Sequence, residues 1–188
     1  MRPYRLAVAT TVAAALAFGV PACSDSILPA PIYSNFVDTV SLYALDGTPV
    51  ATQSGYNIVG RNSVRTDLTS TFDFAFNFDT LGRAVLIPAP ALRIGTTAGL
   101  QAVPTQTFET LTLAPGGTYV TDSAMVVVAG SLVVGRSRLV TCQPLGNLYH
   151  YAKIRVLQVD LNVRTVRFEI LANINCGYRS LEPGRPTE

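Results

Sequence analysis

Phenylalanine occupies every second position from Phe72 to Phe78, and the intervening Asp73, Ala75 and Asn77 are small or polar. Residues two apart are turned by about 200° on a helix but share one face of a strand. The run predicts a strand whose four rings line a core, with Asp73, Ala75, Asn77 and Asp79 on a solvated face. Four buried phenylalanines contribute roughly 6–12 kcal/mol as an upper bound. That is comparable with the ~5–15 kcal/mol stability of a whole domain, so this strand is expected at the centre of the core. Asp73 and Asp79 would lie about 20 Å apart along it, too far to share a calcium ion. Asp79-Thr80-Leu81-Gly82 reads instead as a turn.

Strand signals recur on both sides, and no run of eleven residues keeps a helical period. Residues 37–45 form a strand closed by Asp46-Gly47, a hairpin signal, with Pro49 placing the return strand at an edge. Further strands are expected at 55–60, 83–87, 108–113, 119–120, 125–128 and 132–141, with Pro88-Ala89-Pro90 and Pro115-Gly116-Gly117 as breaks and one helical turn around 98–103. The last hairpin is the best specified. Leu148, His150, Ala152, Ile154 and Val156 alternate on one strand, which places His150 on its core-facing side, and Val166, Phe168, Ile170, Ala172, Ile174 and Cys176 alternate on the other. A turn centred on Asn162 pairs Ile154 with Ile170, Val156 with Phe168 and, on the outer face, Arg155 with Glu169; a one-residue slip would turn the apolar set outward. Many short strands with turns every 8–12 residues or so indicate an all-β fold, an antiparallel β-sandwich or partly open barrel of about 8–10 strands.

The first 22 residues have a different pattern. Arg2 and Arg5 precede an apolar stretch over 6–20, too short to span a bilayer comfortably, and small residues follow. This is the layout of a cleaved signal peptide. Its end, Val20-Pro21-Ala22-Cys23, resembles the lipobox of bacterial lipoproteins. The resemblance covers only these residues and implies acylation of the Cys23 thiol, cleavage before it and a membrane-anchored envelope protein. Ser24 matches the outer-membrane preference of such proteins. The same residues also suit ordinary signal peptidase, which would release a secreted protein with Cys23 free. Residues 23–34 then read as a lipidated tether, 35–179 as one domain and 180–188, polar and proline-rich, as a disordered tail.

Cysteine arithmetic favours the lipid. With Cys23 acylated, Cys142 and Cys176 remain as an even pair for a disulfide, which suits an oxidising compartment. Strands flanking a common neighbour are about 9.6 Å apart, beyond disulfide reach, so the bridge must lie in loops or cross between sheets. The 14 basic residues less Arg2 and Arg5 balance the 12 acidic ones, and Lys153 is the only lysine. Nucleic acid, which requires clustered cations, is therefore not an expected partner.

Chemistry-bearing residues are sparse. His150 is the only histidine, no zinc or phosphate-binding pattern is present, and no cofactor, metal or catalytic residue is assigned. Tyr149, Tyr151, Lys153 and Arg155 alternate on the face away from the expected core and form a possible binding face for a glycan or peptide. The leading expectation is a non-catalytic, lipid-anchored envelope protein with an interaction role. A carbohydrate- or peptide-binding module comes second and a hydrolase third.

Overall fold

The computed structural model describes residues 28–95 and 97–186. The signal peptide and Cys23 lie outside the described residues. Within them twelve strands, more than expected, form three antiparallel sheets. With strands numbered along the chain, one sheet runs β1 (Val37–Tyr43), β12 (Thr165–Asn173), β11 (Tyr151–Asp160), β8 (Leu132–Arg136), β6 (Gly99–Ala102). The second runs β3 (Asn62–Val64), β2 (Gly55–Asn57), β4 (Phe74–Phe78), β5 (Ala84–Pro88), β7 (Met125–Val126). A small hairpin joins β9 (Val140–Cys142) to β10 (Gly146–Leu148). The two large sheets do not close into a barrel; they face one another as a β-sandwich.

The core between them is aromatic at its centre. Phe74, Phe76 and Phe78 of β4 meet Leu42, Ile154, Val156, Phe168 and Ile170 of the opposite sheet. The rings of Tyr56 and Phe74 stack at 5.5 Å between centroids, and Phe168 lies 6.0 Å from each. Phe72 departs from the expectation that all four phenylalanines share this face: it joins Ala75, Ala89 and Ala98 in a separate cluster. The reason is local, since β4 begins only at Phe74 and the alternation is not kept ahead of it.

The last hairpin has the predicted register, with Ile154 opposite Ile170, Arg155 opposite Glu169 and Val156 opposite Phe168. An irregularity at Leu157 then shifts the pairing by one, so that Gln158 faces Arg167. Such a bulge bends the strand and increases its twist.

Four local expectations fail, each because a distant partner wins over a local one. Asp46-Gly47 does not close a hairpin: β1 pairs along its length with β12, and Leu45 N–H already bonds Phe76 O of the other sheet. Residues 99–102 are a strand on β8 rather than a helical turn, and the helical turn is a 3-10 turn at Ala89–Leu92, started by Pro88 and Pro90. Residues 108–113 form no strand; they belong to a long connection that covers the outer face of the first sheet, where Phe108, Leu111, Ala114 and Tyr119 bury Leu132, Val134 and Leu171. The C-terminal segment, expected to be loose, contributes buried Leu181 to this layer and is held by bridges Leu113–Ser180 and Asn35–Gly184.

Candidate functional site

The richest polar cluster lies where β8, β9 and β11 begin or end. Cys142, the last residue of β9, is joined to Cys176, three residues beyond β12, with Cα atoms 5.8 Å apart. The bridge ties the small hairpin to the loop after β12, consistent with a bond that two strands of one sheet could not make. His150, just ahead of β11, packs against it with Nε2 4.0 Å from each sulfur. Its Nδ1 has no hydrogen-bond partner among the described residues. Burial, reinforced by the positive Arg138 and Arg61, pushes the imidazole pKa down to about 4, so the ring is neutral at neutral pH.

Two further residues extend the cluster. Ser137 Oγ accepts the His150 backbone N–H at 2.9 Å and donates to Arg138 O at 2.6 Å. Asp73, expected on a solvated face, is instead 1% exposed. Its Oδ1 accepts the Arg138 N–H at 2.7 Å, its Oδ2 accepts the Ile58 N–H at 2.7 Å, and the Arg138 guanidinium lies 3.3 Å away. Burial raises the Asp73 pKa, and these donors partly offset the rise. The carboxylate satisfies backbone groups of two loops that have no strand partner there, which is the physical reason it points inward.

Serine, histidine and aspartate thus converge, yet the connections of a nucleophilic triad are not made. The serine hydroxyl serves backbone groups, the imidazole faces sulfur, and the carboxylate bonds Arg138 and Ile58 rather than the histidine. The ligand atoms of Cys142, His150 and Cys176 all lie within 4.8 Å of one another. While the disulfide is intact neither sulfur is a thiolate, the form in which cysteine ligates metal. The unit braces this end of the fold.

The proposed binding face of Tyr149, Tyr151, Lys153 and Arg155 is not an open sheet surface. Lys153 is 2% exposed, and its Nζ donates to Phe108 O at 2.6 Å and Leu111 O at 3.0 Å beneath the covering connection. Arg155 reaches Glu109 at 2.7 Å and also pairs with Glu169. Tyr151 packs on Tyr119 at 6.1 Å, and Tyr149 lies under the Arg136 guanidinium at 4.4 Å. Tyr151, Lys153 and Arg155 hold the outer layer down, whereas Tyr149 packs on Arg136 of β8. Strand alternation placed them correctly on the outer face, but it carries no information about a segment that comes forty residues earlier in the chain.

Asn175, two residues beyond β12, receives the tether. Its Oδ1 accepts the N–H groups of Ile32 and Tyr33 at 2.8 and 2.9 Å, and its Nδ2 donates to Tyr33 O at 2.8 Å. The amide thus acts as a short piece of strand for a segment with no sheet partner there. Tyr178 OH donates to Pro29 O at 3.2 Å, and Leu28 lies on Gly177, where a Cβ would collide with it. Asn175 and Tyr178 in a short run after a strand were the only signal of this role. A scan against protein-family models and a search of curated proteins find no match to the chain.

Proposed function

We propose that this chain is a lipid-anchored bacterial cell-envelope protein that acts through interaction rather than catalysis. The observation that carries the reading is the leader, with Arg2, Arg5, the apolar stretch and Val20-Pro21-Ala22-Cys23. The internal chemistry is consistent with it: the one histidine packs on a disulfide, and the polar groups of that cluster are used in holding loops. Oxidation of Cys142 and Cys176 suits an extracytoplasmic compartment. An interaction role draws support from the end of the sandwich remote from the disulfide, where Val126, Val128, Leu161 and Val163 are exposed. Such a surface favours contact with an envelope protein over a glycan, which would call for exposed rings beside polar groups. The outer membrane is the favoured location, following Ser24.

Mass spectrometry of the mature N-terminus from native membranes tests the anchor; an acylated Cys23 is expected, and an unmodified thiol would mean secretion instead. Crosslinking on intact cells, followed by affinity capture with the Cys23→Ala variant as control, tests the interaction role. A hydrolytic activity that disappears in His150→Ala would overturn the non-catalytic reading.

A further inference from the structure

The docked tether sets how far the domain can stand from its anchor. Five residue steps separate Cys23 from Leu28, a span of at most about 18 Å for a fully extended chain. From Pro29 onward the segment is bonded to the domain through Asn175, Tyr178 and Arg61, and Asn35 pairs with Gly184. The ten residues of β11 run about 33 Å from the disulfide end to the Leu161 turn. The leash is therefore shorter than the sandwich is long, and the Leu161 end cannot turn toward the surface that holds the lipid.

The end that must face that surface carries the side chains such a surface accepts. Ile32, Tyr33 and Phe36 are 73%, 51% and 53% exposed. The Tyr33 backbone is fixed on both its N–H and C=O by Asn175, and the Phe36 ring sits under the Arg61 guanidinium at 4.8 Å to the centroid. These side chains are held outward on an ordered backbone, so little freedom is lost when they are covered. Aromatic residues favour the interfacial layer of a bilayer, where one part of the ring is apolar and the other wet.

We infer that Ile32, Tyr33 and Phe36 form a membrane-contact patch, laid on the phospholipid surface that receives the Cys23 lipid, with the Leu161 end directed away from it. The inference rests on the anchoring reading above and adds an orientation and a lipid-contacting surface to it. Because the chain has no tryptophan, a single Phe36→Trp or Leu161→Trp substitution reports on one place only. Each full-length lipidated variant is incorporated into vesicles of phosphatidylethanolamine and phosphatidylglycerol with brominated acyl chains, and flotation and emission are read together. The expected result is flotation of both, with blue-shifted, bromine-quenched emission from Phe36→Trp and unshifted, unquenched emission from Leu161→Trp. Flotation with an unquenched Phe36→Trp overturns the contact patch while leaving the anchor standing, and a blue shift without quenching does the same, by assigning the patch to a second copy of the chain. Failure to float, matching a Cys23→Ala control, removes the anchor and the inference with it.

Discussion

The carboxylate of Asp73 accepts the backbone N–H of Arg138 at 2.7 Å across a sequence distance of 65 residues. Its other oxygen holds Ile58, so one side chain joins the loop after β2 to the loop after β8, one from each sheet. Asp73→Ala leaves the Arg138 and Ile58 N–H groups without their acceptor and the Arg138 guanidinium with only Asn57 Oδ1 among these partners, and a loss of about 3 kcal/mol is expected. Asp73→Asn keeps the shape and one acceptor oxygen but turns its NH2 toward the other N–H donor, while removing a charge that burial disfavours, so its loss is expected to be smaller than that of the alanine variant. Urea denaturation midpoints of the two variants check the order.

Lys153 fills a comparable role on the opposite side. Its ammonium bonds the carbonyls of Phe108 and Leu111 and lies 4.5 Å from the Phe108 ring centroid. Lys153→Ala opens a cavity and strands two carbonyls, an expected loss of about 3 kcal/mol. Lys153→Met keeps the stem and lies between Ala and wild type. Thermal unfolding ranks them, and faster hydrogen exchange over 103–114 in Lys153→Ala would show that the covering layer is what loosens.

His150 makes stability depend on pH. In the unfolded chain its pKa is near the ordinary histidine value of 6.5, and in the fold burial lowers it to about 4. Between these values the unfolded state binds more protons, so its contribution is complete above about 6.5 and is lost as pH falls toward 4. The shift corresponds to about 3 kcal/mol over that window. Asp73, with a raised folded-state pKa, acts oppositely, its destabilising contribution growing as pH rises above the ordinary aspartate value of 3.8. The unfolding free energy of wild type minus that of His150→Gln, measured from pH 4 to 7, isolates the histidine term; a flat difference would refute it.

Asn175→Ala removes the acceptor of Ile32 and Tyr33 N–H and the donor to Tyr33 O. The expected outcome is faster amide exchange and new protease cleavage within 28–34, with a global loss of about 1–3 kcal/mol.

Replacing both Cys142 and Cys176 by serine opens a loop with a sequence separation of 34. A loss of about 3–4 kcal/mol is expected from the freed unfolded chain. Oxidised and reduced wild type, compared by denaturant titration, provide the same number without mutation.

The central strand, the final hairpin and its register through Val156 were legible because strand alternation is a local rule and each run had an apolar partner of matching period. The disulfide pair was legible from counting, and its position in loops from the spacing of strands. Asp73 and Ala75, both expected on a solvated face, are buried, because alternation separates the two faces of β4 but does not show that Phe72, Ala89 and Ala98 pack on the second one. The tyrosine and lysine face was misread for a related reason: period two separates the two faces of a sheet, but whether the second face meets water depends on a connection elsewhere in the chain.

Taken alone, the order of residues determined an all-β chain, its aromatic centre and the pairing of its last two strands, since these follow from side chains that alternate across a pleat. The tertiary structure decided which strands cross between sheets, which polar groups go inside and where residues 28–35 come to rest. Those outcomes depend on backbone donors and acceptors finding partners far away in the chain, and Asn175 finding Tyr33 across 142 residues is the plainest case.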